Sequence, residues 1–340
     1  MHGDTVLDGA GVTAQSSARR LLAADVGGTY ARLGLVDPDG DGFSVGFHRR
    51  YECAAFPSLA AVLRRFRDEA VGAGETAFPD ACVVAIAGVL QGDHLLNGNL
   101  AWPVSLSATR RDAGIGHLHL INDFEALAWA LPRIPQAQLQ PLGAAGGLPL
   151  PTLLLGPGTG LGAALLVEQD GRPAVQPSEA GQAALAAGTP LELEVVRLLQ
   201  ARFGHVASER VFSGPGLVNL YLALCALREM QPRWQTPAEL VEAADQGSDP
   251  LAAECIALFC GWLGSFAGDL ALTFRAGSVC LAGGLTGHLQ RHLSRGDFIR
   301  RFLDKGVLSD SLREVPVHAL EHGDLGLIGA AAWHAARPRD

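Results

Sequence analysis

The chain has 340 residues, 48% of them hydrophobic and 18% charged, with a formal net charge of −9. That length houses about two ordinary domains. The acidic balance argues against a surface built for nucleic acid or anionic membrane, which needs clustered Lys and Arg. The first twenty residues, MHGDTVLDGAGVTAQSSARR, lack the apolar core of a signal peptide and are expected to form a disordered extension, 1–20. No uncharged apolar run has the character of a membrane span. The six cysteines, Cys53, Cys82, Cys225, Cys255, Cys260 and Cys280, show no zinc-ligand spacing. They read as buried free thiols of a cytoplasmic protein.

Taken in chain order, LLAADVGGTYARLGLVD (21–37) is an apolar strand, a glycine turn and a second apolar strand. ACVVAIAG (81–88) and HLHLIND (117–123) read as strands, and FEALAWAL (124–131) as a helix. LLLGPGTGLGAALLV (153–167) then repeats the opening grammar, with Gly158-Thr159 placed 130 residues after Gly28-Thr29. Helices are predicted over 190–204, 216–230 and 251–274. SVCLAGGL (278–285) is a buried strand ending in glycines. Alternating strands and helices define an α/β protein with mixed, mostly covered sheets, and the repeat suggests two similar domains.

The turn chemistry suggests what those domains hold. Glycines with positive φ would leave amide hydrogens unobstructed for phosphate oxygens, and a neighbouring threonine adds a donor. Asp25 beside such a nest implies magnesium, held directly or through water. Neither turn fits a dinucleotide fingerprint or a Walker loop, since a strand follows the glycines and no lysine adjoins them. A plain β-turn fits one such turn alone but is a poor account of two. Gly283 and Gly284 end a strand where backbone could approach an adenosine. Asn122 and Asp123 close the strand of HLHLIND, where ligand crevices of α/β sheets lie, although either side chain also suits a helix cap.

The stretches DVGGTYARLGL, INDFEALA, GPGTGLGAA, SEAGQAA, SERVFSGPGLVNLY and CLAGGL resemble, in order and spacing, the bacterial glucokinases. The resemblance runs from about Leu21 to the C-terminus. It implies two actin-like (ribonuclease H-like) domains flanking a cleft: a small domain, 21–133 plus 319–340, and a large one, 134–318. It further implies ATP with magnesium as cofactors and phosphorylation of glucose or another hexose at its 6-hydroxyl. ATP would be held by Ala24, Asp25, Val26, Gly27, Gly28, Thr29, Gly158, Thr159, Gly160, Gly283 and Gly284. Asp123 would be the general base. Asn99, Asn122, Asp123, Glu179, Gln182 and Glu209 would meet the sugar. Cleft closure is expected, with hinges near 132–135 and 318–324, and homodimers are common in the family.

Two departures bear on activity. Gln182 stands where the family has histidine, and Tyr30 follows Thr29 where asparagine is usual. Taken singly, Glu179 and Glu209 also suit solvated loops. A catalytically weak sugar-sensing protein of the same fold therefore stays open beside the kinase. An N-terminal DNA-binding domain is not expected from twenty mostly polar residues.

Overall fold

The computed structural model describes residues 20–96, 100–321 and 323–337; residues 1–19 of the expected extension lie outside them. A five-stranded sheet is built from β1 (Leu21–Val26), β2 (Tyr30–Asp39), β3 (Gly42–Glu52), β4 (Ala81–Ile86) and β7 (His117–Ile121), in the order β3-β2-β1-β4-β7. A small hairpin, β5 (Val89–Gln91) with β6 (His94–Leu96), stands apart. The second sheet holds β8 (Gln140–Pro141), β9 (Thr152–Pro157), β10 (Leu161–Gln169), β11 (Arg172–Ser178), β12 (Ser278–Leu281) and β13 (Val317–Ala319). Its order is β11-β10-β9-β12-β13-β8. All six residues of β1 and of β9 are buried, as continuous apolar strands covered on both faces should be.

The two sheets share one plan. The central strands β1 and β9 each pair antiparallel with the next strand in the chain (β2, β10) and parallel with β4 or β12. The outer pairs β2–β3 and β10–β11 (antiparallel) and β4–β7 and β12–β13 (parallel) repeat the same senses; β8, antiparallel to β13, is an addition at the edge of the second sheet. The internal repeat is therefore a repeat of topology. Its register differs by one residue from the expected spacing of 130. Strand ends correspond at 21 and 152, 26 and 157, and 30 and 161, an offset of 131. Gly28-Thr29 is thus matched to Thr159-Gly160, because the dipeptides sit one step apart within turns of equal length.

Helices cover the sheets: α1 (Leu59–Gly72), α2 (Leu106–Ala113) and α3 (Asp123–Ala130), then α4 (Pro190–Phe203), α5 (Gly214–Leu227), α6 (Pro237–Asp245) and α7 (Pro250–Phe274), and last α8 (Gly284–Arg295), α9 (Phe298–Leu303), α10 (Ser309–Leu312) and α11 (Leu325–Ala336). Their starts are chemically marked. Ser58, Ser105, Thr189, Ser213, Thr236 and Asp249 each accept an orphan amide of the first turn, and Glu239 completes a capping box with Thr236. α7 meets the length and hydropathy of a membrane span, contrary to the sequence reading, which found none. Its apolar character has another cause. Cys255, Ile256, Phe259, Trp262 and Leu263 are buried in the main core, and 61% of its most apolar window is inside the protein. All six cysteines are free and buried, as expected.

Two close approaches hold α3. Against α11, the backbone at Gly329 lies so near the carbonyl oxygen of Ala126 that a Cβ would overlap it. Against the second sheet, the ring of Phe124 rests on Gly156 and Gly162, where a Cβ on Gly162 would intrude into the ring. α11 also packs on β1, with Leu327, Ala330 and Ala331 in one cluster with Leu21, Ala23 and Ala126. The last helix thus returns to the first sheet.

Gly329→Ala should lower the denaturant midpoint, at a cost of about 1–3 kcal/mol or more, because one helix must move. Gly72→Ala, whose Cβ would meet nothing within 4 Å, should be neutral or slightly stabilising. Equal losses at both positions in equilibrium unfolding would contradict the close crossing.

Candidate active site

Asp123 opens α3 directly after β7. The cap itself is Asn122, whose Oδ1 accepts the amides of Phe124 at 2.9 Å and Glu125 at 3.1 Å. Asp123 takes part in the turn through Oδ1 alone, which also accepts Phe124 N–H at 3.0 Å. Burial desolvates the Asp123 carboxyl and the nearby charge of Asp25 opposes its ionisation. Together they push it up to about 6, against the pull of the Phe124 amide.

A cavity of about 300 Å³ adjoins the cap. Ile86, Ile121, Asn122 and Glu125 line it from the first sheet and α3, and Pro177, Ser178 and Glu179 close it from the end of β11. Glu179 is desolvated there, and the charge of Glu209 adds to that effect; both raise its carboxyl. Glu125 was not singled out by sequence reasoning. Burial raises its carboxyl, while Trp333 of α11 donates Nε1–H to its Oε1 at 2.9 Å. Its signal was the spacing of Asn122 and Glu125, a cap residue and an acid three positions on.

The glycine turns flank this region. In the first, Gly27 N–H donates to Tyr30 O at 2.9 Å; in the second, Gly158 N–H donates to Gly160 O at 2.8 Å. Gly27, Gly158 and Gly160 do not take positive φ, so the expected conformational reason for glycine fails. Space is the reason at Gly160 alone. A Cβ on Gly160 would overlap Glu209 Oε2, whereas Gly158 faces open room. Ala24, Asp25 and Val26 end β1 as buried residues, and Gly28, Thr29 and Thr159 face outward at least in part.

Asp25 is buried, and Arg32, its cross-strand partner, places Nη1 3.5 Å from Asp25 Oδ2. Sequence reasoning missed Arg32, although a three-residue turn sets positions 25 and 32 opposite each other. In the second sheet the place of Asp25 falls to Gly156, so the twin turn carries no acid. Asp25 is thus one carboxylate with an arginine beside it, and a divalent ion there would be held largely through water. Among the described residues no three His, Cys, Asp or Glu side chains cluster as a closed metal site.

Other expected residues are less convergent. Gln182 is exposed in a 3-10 turn, its carbonyl oxygen 3.0 Å from His205 Nε2. Gly283 is the N-cap of α8 with φ 98°, and a Cβ there would crowd Pro157 O. Gly284 follows it, exposed. The Tyr30 ring lies under the Arg50 guanidinium, 4.5 Å from its carbon, on the β2–β3 face. Asn99 lies outside the described residues.

Twin sheets of one topology with a cavity lined from both are the arrangement of actin-like sugar kinases. Comparison with known proteins agrees. The Glucokinase family model matches residues 22–337. The chain is 43% identical over 323 residues to a glucokinase-like protein of Xylella fastidiosa, covering 92% of this chain and 94% of that one. It is 37% identical over 315 residues to a glucokinase of Saccharophagus degradans, covering 92% and 97%. A crystal structure of glucokinase from an Antarctic psychrotroph matches with a TM-score of 0.79 at 33% identity, covering 92% of this chain and 98% of that one. The chain belongs to the glucokinase family and is a hexose kinase of that type.

The raised carboxyl has a stability consequence. The folded-state pKa of Asp123 lies above its ordinary value of 3.8, so the folded chain holds this proton more tightly than the unfolded one. Stability is therefore lost as pH rises from about 4 through about 6. Asp123→Asn should raise the thermal midpoint at pH 7.5, by a contribution of up to about 3 kcal/mol, and the gain should shrink toward pH 4.5. An unchanged midpoint at pH 7.5 would speak against desolvation of this group.

Proposed function

We propose that the protein transfers the γ-phosphoryl group of ATP to the 6-hydroxyl of glucose or a related hexose. The observation that carries the reading is Asp123: a carboxyl with a pKa near 6, one oxygen engaged by a backbone amide, beside the cavity of a glucokinase-family chain. In this reading Asp123 accepts the hydroxyl proton as the sugar oxygen attacks phosphorus, and positioning does most of the remaining work.

Asn99, Asn122, Glu179, Gln182 and Glu209 are assigned to the sugar hydroxyls. Asn122 spends its oxygen on the helix and keeps its amide NH₂ for the ligand. Gln182 can donate and accept as histidine does, with different reach, so hexose preference is where it would act. The amides of Gly27 and Gly158 close their turns. Those of Gly28, Thr29, Thr159 and Gly160 are therefore the donors assigned to phosphate oxygens. Ala24 and Val26 carry the first turn on β1, and Gly283 and Gly284 border the adenosine. Asp25 would hold magnesium, which neutralises phosphate charge when bound. Residues 21–133 with 319–340 and 134–318 are assigned as two domains that close on the sugar, turning near 132–135 and 318–324.

A coupled assay across hexoses with ATP tests the reading. Hexose-dependent ADP release is expected, with glucose among the substrates. Asp123→Ala should lower the rate by about 10²–10⁴ while nucleotide still binds. In the wild type, kcat/KM should fall about tenfold per pH unit below about pH 6, where Asp123 is protonated and cannot accept the proton. Sugar binding without hexose-dependent turnover would favour a sugar-sensing protein instead.

A further inference from the structure

Glu209 reaches beyond the sugar cavity. It sits in the 3-10 turn Ser208–Arg210 ahead of α5, and its Oε2 accepts the amide N–H of Leu161 at 2.9 Å, 48 residues away. Leu161 is the first residue after the turn Gly158-Thr159-Gly160. The same segment grips the other end of that turn, where Gly214 N–H donates to Gly158 O at 2.8 Å. Glycine at 160 is what admits the carboxylate, since a Cβ there would overlap Oε2.

The support behind Glu209 is firm. Val211 and Phe212 are fully buried in the main core. Ser213 Oγ donates to Glu209 O at 2.8 Å and accepts Gly216 N–H at 2.9 Å. The bond from Leu161 N–H to its carboxylate is the tie a solvated loop acid would lack. The side chain also lies near enough to Glu179, on the cavity wall, for its charge to act on that carboxyl.

We propose that Glu209 is a positioning residue that holds the turn 158–160 in its nucleotide-binding shape, and so links the sugar site to the nucleotide site through one carboxylate. The proposal rests on reading that turn as a phosphate seat. One oxygen is committed to Leu161 and the other serves the sugar. A hydroxyl that shifts the carboxylate therefore acts on the backbone of the turn. By linkage, any change that sugar makes in nucleotide affinity is returned by nucleotide on sugar.

The test is binding of a non-hydrolysable ATP analogue, with magnesium and without sugar, to full-length wild type, Glu209→Ala and Glu209→Gln. Glu209→Ala should weaken the analogue about 5- to 10-fold, the worth of one backbone hydrogen bond. Glu209→Gln should bind within about twofold of wild type, because its carboxamide oxygen still accepts Leu161 N–H, even though glucose binding alone weakens. Amide exchange at Leu161 should quicken in the alanine variant only. Should that variant fail to fold, Glu209→Asp, one methylene short of Leu161, takes its place with the same expectation. Wild-type analogue affinity in Glu209→Ala, or equal loss in Glu209→Gln, would overturn the positioning role while leaving the kinase reading intact. If wild type itself does not bind the analogue, the phosphate-seat reading falls and the proposal falls with it.

Discussion

Backbone contact without intervening side chains holds α3 on two sides, and the site is arranged around it. Gly329 lets α11 touch the Ala126 carbonyl, and Gly156 with Gly162 let the Phe124 ring lie on the second sheet. Close-packed interiors transmit small displacements rather than absorb them. A helix gripped in this way fixes its first residue, Asp123, relative to both hairpins. α11 adds a third point of registration, because Gly326 sits against Asp25, 2.8 Å from its carboxyl carbon for a Cβ placed there. The two aspartates are thus located by one last helix returning from the far end of the chain.

The electrostatics follow from that geometry. Asp25 and Asp123 are close enough for the charge of one to oppose ionisation of the other, and Glu179 contributes to the same effect. Arg32 lies 3.5 Å from Asp25, whereas Asp123 has the Phe124 amide, a weaker compensation for a desolvated charge. A carboxyl in that state is a better proton acceptor than one at its ordinary pKa, and the fold sustains it at some cost in stability. Glu125, desolvated on the same cavity and held by Trp333, shows that α11 touches the site by a polar contact as well as by packing.

Much of this was legible in the sequence. Strands β1, β4, β7, β9 and β12 were readable as apolar runs, and α3, α4, α5 and α7 as helices, because covered sheets and core helices need continuous apolar surface. The solvent-facing strand β3, the amphipathic helix α1 and the polar helix α2 were not legible, since their burial depends on partners distant in the chain. Asn122 and Asp123 were visible as an interruption, but which of them caps the helix was not; local geometry gives that task mainly to Asn122. The matching Gly-Thr pairs lie one residue out of the register that the strand ends define, so the spacing of the pairs is not the spacing of the turns. The reasons for Gly156, Gly160, Gly162 and Gly329 could not be read at all. Each is set by a neighbour more than 20 residues away in sequence.

The matched hairpins also carry a lesson about divergence between copies. Where β1 carries Asp25 one residue before its end, β9 has Gly156, and a side chain there would strike Phe124 and the Ala282 carbonyl. Gly156 instead makes a floor for the aromatic ring of the helix that follows the first sheet. Neither copy could now be exchanged for the other: one supplies the charge, the other the surface against which the neighbouring helix is seated. Two sheets of one topology thus divide the labour, and the molecule has a front and a back.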